Sequence, residues 1–436
     1  MDYLSTRQHA PAVTVSPAIA AGLAPDGGLY VPRQMPCLDP AAFDADAPLA
    51  VVANQLIAPF FAGDALAEAL PDICHEAFTF AAPLTSMPWA NADLLELFHG
   101  PTAAFKDFGA RFLAACVKRL HAGNERPLTV LVATSGDTGA AVAAAFHRVP
   151  GIRVVIVYPA GRVSPRQAHQ LGCFGDNVRA LRVAGTFDEC QQLVKQALAD
   201  VDLQAHVPLT SANSISLGRL LPQMSYYAQV ALRHQHAHGE LANFIIPTGN
   251  LGNALACIWA RAVGLPIGAV HLASNANATL PDFFAGAEYR PRPGVATLAN
   301  AMDIGAPNNF ERLRWLWQGD DVALRQAFTA GSVDDATIRS AMGDLAREHD
   351  LVVCPHTATA MHELTRLRAA GDTRHWHVVS TAHPAKFERV VEPLVGHAVP
   401  VPPALAALLE RSAQAKPLTA DYVALRDELA CATASA

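Results

Sequence analysis

This 436-residue sequence predicts an α/β protein with two parallel-sheet units and a mainly helical N-terminal unit. Three observations carry that reading. The chain is long for one hydrophobic core, so two or three packed units with a cleft between them are favoured. From about residue 128 onward, short β-branched runs alternate with helix-like segments, the pattern of βαβ units and parallel sheets covered on both faces. Residues 1 to about 90 lack this alternation and are broken by proline and by turn signals such as Pro25-Asp26-Gly27-Gly28.

The elements follow in order. Leu128-Thr129-Val130-Leu131-Val132-Ala133 is a short apolar strand, followed by a polar turn and a helix-like segment over 140–146. Residues 152–158 repeat the strand signature, and 187–198 reads as an amphipathic helix. Phe244-Ile245-Ile246 and Ala269-Val270-His271-Leu272 supply further strands. His377-Val378-Val379-Ser380-Thr381 is another, and its end is where ligands sit in open α/β sheets. His234-Gln235-His236-Ala237-His238-Gly239 is the one biased segment. Without a carboxylate or cysteine close by in sequence it reads as a solvated interhelical turn, and no metal site is assigned.

Composition excludes several classes. Net charge is −7, from 32 Lys plus Arg against 39 Asp plus Glu, which leaves no basic excess for a nucleic-acid backbone. The eight cysteines show neither metal-ligand spacing nor a compact disulfide pattern, and read as reduced core thiols of a cytoplasmic protein. The first residues have no basic segment followed by an apolar core, and no apolar run approaches bilayer-spanning length, so no membrane partner is expected. The 51% hydrophobic content suits buried strands or a subunit interface, and a monomer or homodimer is expected.

Four segments carry chemistry. Lys106, within Leu95-Glu96-Leu97-Phe98-His99-Gly100-Pro101-Thr102-Ala103-Ala104-Phe105-Lys106-Asp107-Phe108-Gly109, stands where a Gly/Pro-containing loop enters a helix. An apolar shell of Phe105 and Phe108 would lower its pKa and make the amine a Schiff-base former, although most lysines at such positions lie in water. Thr134-Ser135-Gly136-Asp137-Thr138-Gly139 lies between strand and helix, where free N–H groups and hydroxyls suit a carboxylate or simply cap the helix. Thr248-Gly249-Asn250-Leu251-Gly252-Asn253 follows a strand and opens a helix, as a phosphate cradle or a plain helix-start turn does. It lacks the third glycine of the dinucleotide fingerprint and the Lys-Ser/Thr pair of the P-loop. Asn213-Ser214-Ile215-Ser216-Leu217-Gly218-Arg219 places hydrogen-bonding side chains before an arginine whose planar fork matches phosphate oxygens, or forms a helix cap before a surface arginine. A lysine with a phosphate cradle suggests pyridoxal phosphate, which would explain all four.

Together these segments resemble those of the threonine synthase family. So do Tyr3-Leu4-Ser5-Thr6-Arg7, residues 22–32, Asn300-Ala301-Met302-Asp303, Pro307-Asn308-Asn309 and Thr381-Ala382-His383-Pro384-Ala385-Lys386-Phe387, in family order and nearly end to end. Residues 22–32 and 382–387 are the most discriminating, because serine and threonine dehydratases share the lysine and glycine-loop motifs more loosely. The resemblance implies a pyridoxal-phosphate enzyme with the tryptophan synthase β-like fold (fold type II). It also implies discontinuous domains: a helical unit over 1–90, a large cofactor domain from 91–109 and 211–436, and a small inserted α/β domain over 110–210.

By the same resemblance Lys106 is the catalytic lysine that carries the cofactor, and Gly249, Asn250, Leu251, Gly252 and Asn253 surround its phosphate. Thr381 faces the pyridine nitrogen, and Asp137 lies beside the ring hydroxyl, where many relatives of this fold carry Asn. The implied substrate is O-phospho-L-homoserine, with Ser135 and Thr138 near its carboxylate and Asn213, Ser214 and Arg219 near its phosphate. The implied reaction is γ-elimination of phosphate and β-addition of water to give L-threonine. A phospho-lyase or dehydratase of the same fold is the rival enzyme, and a non-catalytic scaffold would be expected to have lost Lys106 or the phosphate loop.

Overall fold

The computed structural model describes residues 1–431. A two-stranded antiparallel ribbon, β1 (Tyr3–Ser5) and β2 (Tyr30–Pro32), joins helices Leu49–Ile57 and Leu70–Ala77 in the N-terminal unit. Beyond it lie two sheets. Their strands are β3 (Leu84–Met87), β4 (Ala92–Glu96), β5 (Leu128–Ala133), β6 (Ile152–Pro159), β7 (Val178–Ala184), β8 (Leu209–Ser211), β9 (Ala242–Pro247), β10 (Ile267–Ser274), β11 (Thr329–Ser332), β12 (Trp376–Ser380) and β13 (Lys416–Thr419). The six-stranded sheet runs β11-β10-β9-β12-β4-β3 and the five-stranded sheet β13-β7-β6-β5-β8. All pairs in both sheets are parallel except β3 with β4.

Sequence pattern explains the central strands. In β5, residues 129–133 are all buried, as expected of a parallel strand covered on both faces. The helix Lys106–Leu120 buries Phe108, Phe112, Leu113 and Cys116, spaced at three and four residues, against the N-terminal unit and the helix Asp137–Phe146. Gly109 on this helix is a place where only glycine fits, since a Cβ would stand 2.9 Å from the Arg219 carbonyl oxygen. That absence lets the short helix Leu217–Leu220 pack directly on it.

Several features depart from the expectations. Strand β13, expected in the larger unit, pairs in parallel with β7, so the C-terminal segment returns to the five-stranded sheet. Strand β3, from the segment expected to be helical, closes one edge of the six-stranded sheet as an antiparallel hairpin partner. The expected solvated turn at residues 234–239 is instead the last turn of a helix, Met224–His238. Gly239, left-handed at φ 70°, ends that helix, and His234 is buried. Cys37 and Cys431 are exposed, whereas the other six cysteines are buried, and all eight are free thiols. Among the described residues no helix is long and apolar enough to cross a membrane.

Candidate active site

In parallel sheets the carboxyl ends of the strands point to one side, and ligands bind where the connections there diverge. A cavity of about 1670 Å³ lies at the carboxyl ends of β5, β8, β9 and β12, and Lys106, ten residues beyond the end of β4, opens into it. Also lining it are Ser135, Asp137, Thr138, Asn213, Ser214, Arg219, Gly249, Asn250, Leu251, Gly252, Asn253 and Thr381. Residues far apart in sequence thus meet in one cleft.

Lys106 is the first residue of its helix. The loop before it is zipped to the end of β12, for Leu97 N–H donates to Ser380 O (3.0 Å), Phe105 N–H to Thr381 O (2.8 Å) and His383 N–H to Ala103 O (3.0 Å). Asp107 secures the loop from inside, accepting from the Thr102 N–H (2.8 Å) and the Thr102 hydroxyl (2.6 Å). The Lys106 Nζ lies 5.7 Å from the Phe105 ring centroid. Burial deep in the cleft, opposed by Asp137 and aided by Arg219 and Lys386, brings its amine down to about 8.

Asp137 opens the helix Asp137–Phe146 and is buried. Its Oδ1 lies 2.9 Å from the Lys386 Nζ and accepts from the Gln167 Nε2 at 2.9 Å. Burial by itself would raise this carboxyl, but Lys386 first and then Lys106 outweigh it and hold the group well below the usual carboxylate range. Lys386, fully buried, also donates to Thr102 O at 2.6 Å. His356 accepts from the Ala301 N–H through Nε2 (3.0 Å), and burial pushes its imidazole down to about 4, so the ring is neutral. In the turn before Asp137, the Thr134 hydroxyl accepts from the Gly136 N–H (3.0 Å) and the Gly139 N–H (2.9 Å).

The loop after β9 is held open by its surroundings. A Cβ on Gly249 would stand 2.6 Å from the Met302 Cα, and Leu251 takes the left-handed conformation at φ 64° immediately before the helix Gly252–Ala262. No side chain caps that helix start, which leaves its first N–H groups for a ligand. A Cβ on Gly252 would meet nothing closer than 3.4 Å, so the protein's own packing constrains Gly249 more tightly than Gly252. Asn253 is buried with its Oδ1 accepting from Tyr226 and Tyr227 hydroxyls, while its Nδ2 has no partner among the described residues. Asn250 is fastened to Ser214 and to the Asn308 N–H, and Asn309 donates to Asn250 O at 3.1 Å. Arg312, buried, links Asn309 (2.9 Å) to Tyr30 O (2.9 Å), so the N-terminal unit braces the loop.

Arg219 is 1% exposed and donates to Ala212 O at 2.9 Å, and its Nε has no partner among the described residues. No carboxylate among the described residues pairs with it. Burial lowers its guanidinium to about 10, still charged at neutral pH. A buried cation of this kind is costly unless an anion accompanies it, and so marks an anion site. With the free N–H groups of the loop, the unpartnered Asn253 amide and a lysine in the same cleft, these residues fit pyridoxal phosphate.

Lys386, His356 and Gln167 carry no assigned role in the sequence reading. Lys386 lies within the discriminating segment 382–387, which was the available signal. His356 and Gln167 had none, because their partners are 55 and 30 residues away in the chain.

Residues 94–383 match the family described as pyridoxal-phosphate-dependent enzyme, residues 2–78 the threonine synthase N terminus, and residues 357–428 the threonine synthase C-terminal region. The chain is 37% identical over 429 residues to threonine synthase of Escherichia coli, covering 98% of each. Its structure is similar to that of the E. coli enzyme, with a TM-score of 0.90 at 34% identity, covering 98% of this chain and 99% of the other. It is also similar to the pyridoxal-phosphate-bound threonine synthase of Brucella melitensis, with a TM-score of 0.90 at 32% identity over 100% of both chains.

Proposed function

The chain belongs to the threonine synthase family of pyridoxal-phosphate-dependent enzymes, and from that premise we propose that it converts O-phospho-L-homoserine and water to L-threonine and phosphate in the cleft around Lys106. The observation that carries the substrate reading is Arg219, a buried cation without an anion of its own in a cleft that also holds a lysine. Pyridoxal phosphate supplies the electron sink that lets a proton leave the carbon next to the substrate amine.

Lys106 would hold the cofactor, the residues from Gly249 to Asn253 its phosphate, Asp137 its ring hydroxyl and Thr381 its ring nitrogen. A hydroxyl at Thr381, in place of a carboxylate, would supply no negative charge to protonate that nitrogen. Lys106 is the residue that would take the proton from the substrate Cα, its amine being brought down to about 8 by burial. The same amine would move the proton at Cβ, where water adds once phosphate has left Cγ, and would return a proton to Cα. Ser135 and Thr138 would hold the substrate carboxylate, and Asn213, Ser214 and Arg219 its phosphate. The enzyme is read as cytoplasmic, acting as a monomer or homodimer on a small molecule.

The test is to incubate the protein with pyridoxal phosphate and O-phospho-L-homoserine and to quantify phosphate, threonine and 2-oxobutyrate together. Equal phosphate and threonine is the expected result. Phosphate with 2-oxobutyrate would make it a phospho-lyase. For Arg219→Ala the expected result is a rise in KM of roughly 10- to 100-fold with the cofactor retained, since a charge-assisted hydrogen bond is worth about 1.5–3 kcal/mol. Unchanged KM would remove Arg219 from the phosphate site.

A further inference from the structure

Away from the cleft, at the amino ends of β4 and β12, three histidines from two elements converge. His234 comes from the last turn of the helix Met224–His238, and His375 and His377 flank Trp376 at the start of β12. One ring nitrogen from each lies within 4.8 Å of one from each of the others. His377 Nε2 and His234 Nδ1 are 3.2 Å apart. Two imidazole nitrogens on a tetrahedral ion, each about 2.0–2.1 Å from the metal, stand roughly 3.3–3.4 Å apart, so this spacing matches one edge of such a site.

The surroundings supply what a metal site requires besides ligands. Asp93 on β4 lies behind the imidazoles, with its Oδ2 2.9 Å from His375 Nε2 and 3.4 Å from His377 Nδ1. A carboxylate in that position fixes the tautomer and orientation of a ligating ring through its second nitrogen. His234 and His377 are 6% and 1% exposed, so the two nitrogens 3.2 Å apart are shielded from bulk solvent. His375 is half-buried and His238, whose ring lies 4.7 Å from that of His234, is exposed, which leaves a way in from solvent.

We propose that His234, His375 and His377 bind a divalent transition-metal ion of the zinc class, with Asp93 as their outer partner and a fourth position open to water. The ion ties the end of the helix to two central strands, joining residues more than 100 positions apart, and so stabilises the folded enzyme. It sits at the opposite end of β12 from Thr381, about 13 Å along the strand, and takes no part in the reaction.

The experiment uses the holoenzyme, freed of metal by chelator dialysis, titrated with Zn²⁺ by calorimetry and with Co²⁺ by visible absorption. Expected are one equivalent of Zn²⁺ bound with a micromolar or tighter Kd, a Co²⁺ d–d band of low coordination number, and a Tm raised by at least about 2 °C. His375→Gln, chosen because its side chain is half-buried, should weaken binding at least about 10-fold with threonine formation unchanged. His236→Gln, on an exposed face of the same turn, should bind as the wild type does. Absence of stoichiometric binding by the wild type, or equal affinity in His375→Gln, would overturn the proposal, the latter by assigning the ion to other ligands such as the exposed Cys37.

Discussion

Lys106→Ala is expected to lower threonine formation by on the order of 10⁴-fold or more, because in the proposed mechanism one amine both carries the cofactor and moves protons, and general acid–base catalysis alone contributes about 10²–10⁴. The amine has no substitute in place. Lys386, the nearest other lysine by its effect on Lys106, is committed to the Asp137 carboxylate at 2.9 Å and to Thr102 O. The cofactor should still bind, through the loop after β9 and Asp137, but without the visible absorbance of a lysine-linked carbonyl. Far-ultraviolet circular dichroism should match the wild type, since Lys106 is a first-turn residue that does not cap the helix Lys106–Leu120. Full activity in this variant would refute the assignment of the base.

Lys386→Met is expected to destabilise the protein by about 3–5 kcal/mol, the cost of leaving a buried carboxylate without its counter-charge. Asp137 is buried, and burial disfavours its charged form. Lys386 is the first-ranked group that keeps it ionised. In the wild type the depressed carboxyl contributes stability that is fully present above the ordinary Asp value of about 3.9 and is lost as pH falls through the lower folded value. With Lys386 removed, much of that contribution disappears even at neutral pH, so the stability difference from wild type should narrow in acid. Urea denaturation of Lys386→Met, Asp137→Asn and the double variant gives the coupling directly. The double variant should be more stable than Lys386→Met, because replacing both partners removes the stranded charge. A Lys386→Met variant as stable as the wild type would show that the pair is not coupled.

Much of the fold was legible locally. β5 has the bounds that its apolar run predicts, and β12 and the helix Phe187–Ala199 are within a residue or so of theirs. Strands β3, β11 and β13 were not legible. Each has four residues, much of it exposed, and each lies at a sheet edge, so little apolar patterning marks it. Histidines 234–238 look like a turn in sequence for a related reason. A polar helix end looks like a turn until the strand it packs against is known, and His375 and His377 lie about 140 residues further along.

The sequence by itself determined which segments present backbone N–H groups and a reactive amine, because glycine placement, strand-to-helix transitions and hydrophobic periodicity are set by neighbours in the chain. The tertiary structure alone decided which buried charges compensate one another. Lys386 reaches Asp137 across 249 positions, Arg219 pairs with no carboxylate among the described residues, and His234 meets His377. Electrostatic and hydrogen-bonding energies inside a protein depend on distance and burial in space, and neither quantity is encoded in any local stretch of residues.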